Sequence, residues 1–262
     1  MLAPIQLPPS YAEFNRRHHA PYGTSLGHRL RRFGERNRLR VKLSGPYGWQ
    51  SNSTTRAFEY PWVFEQIQGL GRGLVIADVG ASLAGMQFTL AQEGHEVHAV
   101  DPGLNATGVG WEVDPTFHRL LAETYKAPVA LHATTLDEAG FANDSLDVIL
   151  SVSTIEHFGP EDLEKFARSA RQALKPGGHV VLTIDLFLDL IPFTDRERNR
   201  WGTNISVASL LEQLDATIVT GDPSVLYGFG DFEARRVQAD MSEYLIGGTY
   251  PVLTQCVVAK IN

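Results

Sequence analysis

Cysteine is almost absent from this sequence, and so are long apolar segments. The 262 residues include one cysteine, Cys256, which excludes an internal disulfide framework and a metal site built from cysteines. No run of about 18 uncharged apolar residues occurs, so the sequence predicts no membrane-spanning helix. The N-terminal residues lack the basic-then-apolar layout of a secretory signal. Together these absences favour a reducing, cytoplasmic location.

The charge of the chain is unevenly distributed. The net charge is −7, yet residues 16–42 hold nine Arg or Lys residues and a single acid, Glu35. This basic segment therefore carries +8, which leaves −15 on the rest of the chain. A basic segment on an acidic protein can bind a phosphate or a nucleic acid. It can equally be a solvated segment that packs on the acidic remainder, and we favour this second interpretation because charge runs are usually solvated.

Residues 1–57 differ in composition from the rest of the chain. They are rich in Pro, Gly, Arg and Ser and show weak hydrophobic periodicity, which predicts a basic N-terminal arm or partial cap. The segment FEYPWVFEQIQGLG (58–71) then predicts a short helix that ends near its two glycines. We therefore expect the main domain to span residues 58–262.

From residue 74 onwards, apolar strand patterns alternate with helical ones. LVIADV (74–79) is a continuous apolar run, as expected for a strand buried on both faces of a sheet. The alternation predicts an α/β fold, a doubly wound and mostly parallel sheet with helices on both faces. The predicted strands are 74–79, 96–101, 128–133, 146–153 and 179–185, and the predicted helices are 85–93, 116–125 and 160–174.

The C-terminal part departs from this alternation. A helix is predicted at 206–214, and strands are predicted at 216–221 and 254–261. The stretches 186–204 and 222–250 fit neither pattern, and both combine aromatic with charged residues. Insertions of this length in a compact domain usually carry function or form a lid.

The turn between the first two strands is the first place to expect a ligand, because open parallel sheets bind ligands beyond the carboxyl ends of their strands. Gly80 lets the backbone bend tightly and approach a ligand without a Cβ atom. Asp101 ends the second strand, where an acid can hold two ribose hydroxyls. Together these two residues predict a site for an adenosine-containing cofactor.

Two segments of the chain resemble a known family. DSLDVILSVSTIEHFGPEDLEKFARSARQALKPGGHVVLTID (144–185) resembles the second half of class I S-adenosylmethionine-dependent methyltransferases with a type-11-like domain. ADVGASLAGMQFTL (77–90) and VDP (100–102) resemble their first motif and the acidic end of their second strand. The resemblance covers about 74–185 well and 206–261 loosely. It implies a Rossmann-like sheet of seven strands and S-adenosylmethionine as the cofactor.

The resemblance also implies which residues contact the cofactor. Where family members commonly have further glycines, this chain has Ser82 and Ala84, with Gly85 one place on. Methyltransferases bind no pyrophosphate and need less bare backbone here than dehydrogenases, which favours S-adenosylmethionine over NAD. His132 stands where many relatives have an acid near the adenine, so the backbone that follows it is the better candidate. The implied contacts are Asp78, Gly80, Ala81, Ser82, Gly85, Asp101, Pro102, Ala133, Thr134, Ser151 and Ser153.

Glu156 and His157 follow the fourth strand and are the candidate catalytic residues. His157 is a candidate general base, because the pKa of histidine lies near working pH. The alternative is that this Glu-His pair is structural, since it recurs in relatives whatever they methylate. Asp185 and Asp189 could complete a magnesium site with the pair, but no ligand spacing demands one and none is predicted. Trp111 is a further candidate for lining the pocket.

The functional hypothesis is an O- or N-methyltransferase that acts on a small polar molecule, such as a natural-product or sugar-type intermediate. The two insertions favour a closed pocket, and the acidic remainder of the chain would repel nucleic acid. Two alternatives stay open. The first is an RNA or DNA methyltransferase guided by the basic segment, whose binding would fall steeply with salt. The second is a cofactor-binding scaffold without catalytic activity.

Overall fold

The structure is a computed structural model that describes residues 1–30, 37–103, 113–248 and 250–262. Trp111 and the basic residues between positions 31 and 36 lie outside the described residues. Within the described ranges, no helix has the length and apolar character needed to cross a lipid bilayer.

A seven-stranded sheet forms the centre of the described fold. The strands are β1 Val75–Val79, β2 Glu96–Val100, β3 Val129–His132, β4 Leu146–Val152, β5 Leu174–Phe187, β6 Ala216–Thr220 and β7 Val252–Ile261. They lie in the order β3-β2-β1-β4-β5-β7-β6. β7 runs antiparallel to both of its neighbours, β5 and β6, and the other neighbouring strands of this sheet are parallel. The winding reverses between β1 and β4, so the carboxyl ends of these strands flank the crevice where such sheets bind ligands.

Helices cover both faces of the sheet. They are α1 Pro9–His18, α2 Ser25–Leu30, α3 Arg38–Ser44, α4 Arg56–Leu70, α5 Gly85–Gln92, α6 Pro115–Tyr125, α7 Pro160–Ala173, α8 Val207–Leu214 and α9 Ala234–Ala239. One apolar core packs α1, α4, α5 and α6 on the first face, with Phe58 and Phe88 among its buried residues. A second core packs α7 and α8 on the opposite face, with Phe166 and Leu210. Each such buried side chain contributes roughly 1.5–3 kcal/mol, so the sheet is stabilised from both sides.

The predicted fold class is confirmed, and two strands, β5 and β7, are longer than predicted. Between residues 74 and 173, each predicted element agrees with the structure to within one residue at either end. The fifth strand was expected at 179–185 but already begins at Leu174, which pairs with Leu146. Pairing then resumes at His179, opposite Val148, after a register shift. Residues 175–178 therefore lie within an irregular strand, where Gly177 supplies a φ of +76°.

Two residues of the family resemblance stabilise this irregular region. The Lys175 ammonium donates to Asp147 Oδ1 over 2.7 Å, and the backbone amide of Val75 donates to Asp147 Oδ2 over 2.8 Å. Burial alone would raise the pKa of Asp147, but these bonds outweigh it and the pKa is lowered. Asp147 and Lys175 thus connect β1, β4 and β5 at their amino-terminal ends, away from the ligand crevice.

The described part of the N-terminal segment packs as a cap on the main domain. Ala3, Tyr11 and Phe14 are buried in the first core. The backbone amide of Ala3 donates to the carbonyl oxygen of Thr254 in β7 over 2.9 Å. α4 begins at Arg56, so the predicted boundary between residues 57 and 58 falls in the first turn of a helix. The described part of this segment is therefore a cap rather than an extended arm.

Candidate active site

Gly80 and Ser82 shape the turn that follows β1. Both have positive φ angles, +78° and +44°, which glycine adopts freely and serine adopts at a cost. The backbone amide of Gly80 donates to the carbonyl oxygen of Val100 over 2.8 Å. An added Cβ atom at residue 80 would lie 2.3 Å from the side chain of Thr154. The turn is therefore held closely between the end of β2 and the loop after β4.

Asp101 fixes this turn through its carboxylate. Its Oδ2 accepts a hydrogen bond from the backbone amide of Ser82 over 2.8 Å, and its Oδ1 accepts one from the amide of Gly103 over 2.7 Å. Burial raises the pKa of Asp101, and these two bonds oppose the rise. Each carboxylate oxygen keeps a second lone pair, so Asp101 can still accept hydrogen bonds from the two hydroxyls of a ribose.

Asp78 is the second acid of this turn and is only 3% exposed. Burial, followed by the charge of Asp101, raises the pKa of Asp78 to about 7. A buried carboxyl group with such a shifted pKa, beside a cavity, is a candidate for a functional site. A cationic ligand group placed beside it would favour the ionised form.

A cavity of about 280 Å³ lies at the carboxyl ends of β1, β2 and β4. This volume is near the lower end of the range of ligand pockets, which is roughly 300–1,000 Å³. Nine of the predicted site residues line the cavity and are brought together there: Asp78, Gly80, Ala81, Ser82, Asp101, Pro102, Thr134, Ser153 and His157.

Four predicted site residues lie elsewhere. An added Cβ atom at Gly85 would lie 2.6 Å from the ring of Tyr47, so this glycine lets α5 pack against that ring. Ser151 Oγ donates to the last carbonyl oxygen of β1 over 3.0 Å. Ala133 borders a groove on the outer edge of the sheet. Glu156 is fully buried and does not line the cavity. Packing, a hydrogen bond to β1 and a position at the sheet edge account for the first three residues in this structure, and their contact with the cofactor stays a prediction.

The N-terminal side contributes cavity residues that the sequence analysis did not select: Gln50, Arg56 and Tyr60. Arg56 Nη1 donates to Ser153 Oγ over 2.6 Å and forms an ion pair with Glu59. The Arg56 side chain is 13% exposed, which leaves the guanidinium group partly open to the cavity. Arg56 lies outside the family resemblance and contacts a residue far away in sequence, so no local pattern indicated it.

Three fully buried carboxyl groups lie near Arg56, and we call Glu59, Glu156 and Asp185 the acidic cluster. Arg56 pairs with Glu59, whose Oε1 also accepts a hydrogen bond from Thr254 Oγ1 over 2.9 Å. Burial, followed by the charge of Glu59, raises the pKa of Asp185 to about 6. Burial, followed by the charge of Asp185, raises the pKa of Glu156 well above its usual range. The cluster therefore holds more acidic groups than its guanidinium neutralises.

Asp185 and Glu156 differ in their hydrogen-bond partners. Asp185 accepts from Ser153 Oγ over 3.0 Å and from the Tyr250 hydroxyl over 3.1 Å. Neither carboxyl oxygen of Glu156 has a hydrogen-bond partner among the described residues. An unsatisfied buried polar group costs roughly 1–3 kcal/mol, so Glu156 requires an explanation beyond packing.

His157 joins the cavity to this cluster. Its Nδ1 lies 2.5 Å from the backbone carbonyl oxygen of Trp201, which can only accept, so Nδ1 carries the proton. In the neutral ring, Nε2 is then a free base, and it lies 3.9 Å from Glu156 Oε1. Burial is the largest influence on the pKa of His157, which is lowered. The ring is therefore neutral at physiological pH and presents a lone pair beside the cavity.

The two insertions contact each other beside His157 and the acidic cluster. The rings of Trp201 and Tyr250 stack with centroids 5.0 Å apart, and Tyr250 also packs on Phe187 at the end of β5. An added Cβ atom at Gly202 would lie 2.0 Å from the carbonyl oxygen of Glu156, so the backbone at residue 202 passes directly over the loop after β4. The predicted role of the insertions as a cover is consistent with these contacts.

The cavity residues fit S-adenosylmethionine. Asp101 keeps free lone pairs that suit the hydroxyls of a ribose, and Asp78 provides a carboxyl group that suits an ammonium. Ser82 Oγ is buried without a hydrogen-bond partner while its residue lines the cavity, which leaves it available to a ligand. Within the described residues, no three His, Cys, Asp or Glu side chains converge as a metal ion would require. The cavity therefore offers hydrogen-bonding groups for each polar part of this cofactor except its adenine.

Comparison with known protein families gives the class of the protein. Residues 77–182 match the family described as a methyltransferase domain. The matched range includes the turn after β1, Asp101 and the Glu156–His157 pair. The chain thus contains, over these 106 of its 262 residues, a domain that matches S-adenosylmethionine-dependent methyltransferases. It is therefore a methyltransferase whose cofactor is S-adenosylmethionine. No curated protein sequence matches the chain.

Solved structures share the fold at low sequence identity. The 1,6-didemethyltoxoflavin N1-methyltransferase of Burkholderia thailandensis, solved with its substrate and S-adenosylhomocysteine, is 16% identical. The match covers 100% of this chain and 95% of that one, with a TM-score of 0.51. A putative sarcosine dimethylglycine methyltransferase from Galdieria sulphuraria is 15% identical over 77% and 84% of the chains, with a TM-score of 0.50. TehB from Haemophilus influenzae is 12% identical over 77% and 62%, with a TM-score of 0.52.

Proposed function

We propose that this methyltransferase transfers a methyl group to an oxygen or nitrogen atom of a small polar molecule. The observation that carries the proposal is the position of His157, which lines the cofactor cavity and is bonded to the covering segment at Trp201. A polar wall beneath a cover suits a small acceptor, because a closed site excludes water from the transfer. A nucleic-acid strand would instead need an open, basic channel.

Four side chains hold the cofactor in this proposal. Asp101 accepts hydrogen bonds from the ribose, and Asp78 binds the methionyl ammonium. Ser82 Oγ and the Arg56 guanidinium bind the methionyl carboxylate, for which a positive charge at the cavity wall is complementary. The cofactor supplies the methyl group in an already activated form. The main contribution of the protein is therefore to hold the acceptor atom about 3–3.5 Å from the methyl carbon and in line with the breaking bond.

His157 acts as the general base in this proposal. Nε2 is the unprotonated nitrogen of a residue that lines the cavity, so it can take a proton from an acceptor hydroxyl or ammonium group. The bond from Nδ1 to the Trp201 carbonyl oxygen keeps the ring in this tautomer and orientation. Closing the cover and orienting the base are thus linked through one hydrogen bond.

Two of the structural neighbours support a small acceptor. The Burkholderia thailandensis enzyme methylates N1 of 1,6-didemethyltoxoflavin, and the Galdieria sulphuraria protein is named for sarcosine and dimethylglycine. Both are small polar molecules. The first neighbour also covers the whole of this chain, including the N-terminal cap that contributes Arg56.

The described part of the basic segment supports a small acceptor over nucleic acid. Arg38 forms an ion pair with Glu123 of α6, and Arg16 pairs with Glu13 over 2.6 Å. The positive charges of these two side chains are therefore partly neutralised by acids of the same chain. We keep the cytoplasm as the proposed location, on the grounds of the low cysteine content.

Calorimetry with S-adenosylhomocysteine tests the cofactor site. We expect saturable binding by the wild type and a loss of about 10- to 100-fold in Asp101→Asn, because hydrogen bonds to a charged group are worth about 1.5–3 kcal/mol. The matched control is Asp144→Asn at the opposite end of β4, where a φ of +55° suits asparagine. Equal affinities of the two variants would show that Asp101 does not hold the ribose.

A transfer assay tests the acceptor class. The protein is incubated with radiolabelled S-adenosylmethionine and panels of small hydroxyl and amine compounds, with tRNA and duplex DNA as competing acceptors. We expect label in at least one small-molecule panel and none in nucleic acid. Label in nucleic acid that falls steeply with salt would favour the nucleic-acid alternative. Cofactor binding without transfer to any acceptor would favour the scaffold alternative.

A further inference from the structure

The acidic cluster has more carboxyl groups than basic groups, and it lies beside residues that line the cofactor cavity. Among the described residues of the cluster, one guanidinium, that of Arg56, faces the carboxyl groups of Glu59, Glu156 and Asp185. Arg56 is paired with Glu59, and the hydrogen-bond donors of Asp185 are two neutral hydroxyl groups. If all three acids ionised, the cluster would carry two uncompensated negative charges. Buried acids of this kind either hold a proton or are paired with a cation, so the cluster can ionise fully only with a further cationic partner.

Glu156 is the clearest indication of such a partner. Its carboxyl group is 0% exposed, and neither oxygen has a hydrogen-bond partner among the described residues. The groups whose charges act on it come from three elements: Arg56 and Glu59 of α4, Asp185 of β5, and the adjacent His157 at 3.9 Å. Tyr250, in front of β7, is close enough to respond to the charge of Glu156. An orphaned carboxyl group is thus directed into a polar interior that the chain itself does not satisfy.

The cluster lies one side chain behind the wall of the cofactor cavity. Arg56, Ser153 and His157 all line that cavity, and each is in contact with the cluster. Ser153 Oγ donates to Asp185, and His157 Nε2 lies 3.9 Å from Glu156 Oε1. The stacked rings of Trp201 and Tyr250 lie beside the cluster, because the Tyr250 hydroxyl donates to Asp185 and the Trp201 carbonyl oxygen accepts from His157. A ligand group that enters beneath these rings would meet the carboxyl groups of Asp185 and Glu156.

Four kinds of cation are available to complete such a site: a metal ion, the sulfonium of the cofactor, its methionyl ammonium and an ammonium of the acceptor. In the proposed function the methionyl ammonium is bound by Asp78. The described carboxyl and imidazole groups do not converge as metal ligands do. A sulfonium has no N–H or O–H group and cannot satisfy the lone pairs of Glu156 by hydrogen bonding. An ammonium carries both a charge and several N–H donors, so it satisfies both deficiencies of the cluster.

We propose that the acidic cluster recognises a protonated amine, so that the methyl acceptor is a small cationic amine and the enzyme is an N-methyltransferase. This inference rests on the proposed function and narrows it to one acceptor class. Asp185 and Glu156 accept hydrogen bonds from the ammonium, and Arg56 remains paired with Glu59. The stacked rings of Trp201 and Tyr250 beside the cluster add cation–π attraction for the ammonium.

The proton and electron balance of the transfer is complete without any further reagent. His157 Nε2 takes one proton from the ammonium, which leaves a neutral amine and an imidazolium. The nitrogen lone pair then forms the new bond to the methyl carbon, and the electrons of the carbon–sulfur bond return to sulfur. The products are a methylated ammonium and S-adenosylhomocysteine. The two positive charges, on the product and on His157, face the two carboxylates of Asp185 and Glu156.

The test compares amines with alcohols of the same shape. Pairs such as benzylamine with benzyl alcohol, and cyclohexylamine with cyclohexanol, are titrated at pH 7.5 against the wild-type protein saturated with S-adenosylhomocysteine. At this pH such amines are cationic. We expect the amines to bind at least tenfold more tightly across the panel. A panel without preference for amines, or with preference for alcohols, overturns the proposal. Saturation with S-adenosylhomocysteine beforehand separates this failure from a failure of the cofactor site.

Glu156→Gln distinguishes recognition from a structural role. The substitution keeps the shape of a side chain whose acid form is already favoured by burial, so we expect the melting temperature to stay the same or rise. The preference for amines should nevertheless fall by about tenfold, whereas the exposed control Glu212→Gln should keep it. An unchanged preference in Glu156→Gln overturns the proposal. A changed ratio of affinity for S-adenosylmethionine over S-adenosylhomocysteine also overturns it, because the cluster would then serve the sulfonium.

Discussion

The imidazole of His157 donates its Nδ1 proton to the backbone carbonyl oxygen of Trp201 across 2.5 Å, which links the catalytic candidate to the covering insertion. The two residues come from the loop after β4 and from the insertion 186–204, where Gly202 allows close approach to the Glu156 carbonyl oxygen. The same hydrogen bond leaves Nε2 unprotonated. One hydrogen bond therefore both attaches the insertion at Trp201 to the loop after β4 and fixes the tautomer of His157.

The first prediction concerns this imidazole. In His157→Asn we expect kcat for methyl transfer to fall by about 10²- to 10⁴-fold, the usual contribution of a general base, with little change in S-adenosylhomocysteine affinity. The base must be neutral and burial lowers the pKa of His157, so kcat/KM of the wild type should rise with pH and level off below the ordinary histidine pKa. The exposed control His19→Asn should retain both activity and profile. A kcat of His157→Asn close to that of the wild type would support the structural alternative for the pair.

The second prediction follows from the raised pKa of Asp78. Below about pH 7 the carboxyl group is protonated in the free protein, while a methionyl ammonium favours the carboxylate. Affinity for S-adenosylhomocysteine should therefore rise about tenfold between pH 6 and pH 8 and then level off, with release of a proton on binding. Calorimetry in two buffers of different ionisation enthalpy measures both effects. In Asp78→Asn the pH dependence should disappear, and its persistence would place the titrating group elsewhere.

The same pKa has a consequence for folding stability. The folded-state pKa of Asp78 lies above the unfolded value of 3.8, so the folded protein binds more protons between about pH 4 and pH 7. Stability contributed by this group is therefore lost as the pH rises through that window. Urea unfolding of Asp78→Asn should show a weaker decline over the same range than the wild type.

The strands and the first turn were predictable from local sequence. A continuous apolar run such as 74–79 fits a strand buried on both faces, and Gly80 with Asp101 fits a ligand turn at the switch point of the sheet. These features depend on residues that are close in the chain or in adjacent strands. The family resemblance added the register of Glu156 and His157 with the end of β4.

The acidic side of the site was not predictable in this way. Arg56 and Glu59 lie on a helix outside the family motifs, and their partner Ser153 follows more than 90 residues later. Gly85 has a tertiary contact that its place beside the motif does not indicate: it makes room for the ring of Tyr47 from the N-terminal cap. Both outcomes depend on tertiary contacts with the cap, where periodicity was weak.

A further prediction distinguishes two effects of a side chain at residue 80, the steric clash with Thr154 and the strain of a positive φ angle. Gly80→Ala and Gly94→Ala both introduce a side chain at positive φ, +78° and +91°, which costs about 1–2 kcal/mol. Only at residue 80 would the new Cβ atom meet another side chain, that of Thr154, whereas nothing lies within 4 Å of it at residue 94. We expect both variants to lose stability in urea, and only Gly80→Ala to lose S-adenosylhomocysteine affinity, by tenfold or more. Equal affinity losses would show that the turn does not approach the cofactor.

The last prediction concerns the cover. In Gly202→Ala the added Cβ atom would meet the Glu156 carbonyl oxygen at 2.0 Å, so the segment at Trp201 must move away and the bond to His157 must lengthen. Gly230→Ala is the matched control in the other insertion, since nothing lies within 4 Å of its Cβ position. We expect Gly202→Ala to raise the KM for the acceptor and to lower kcat by about tenfold or more, because both the pocket and the tautomer of the base depend on this contact. S-adenosylhomocysteine affinity should stay within about twofold of the wild type, since no residue of 186–204 lines the cofactor cavity. If Gly202→Ala weakened cofactor binding and left the acceptor KM unchanged, the segment would belong to the cofactor site instead of covering the acceptor.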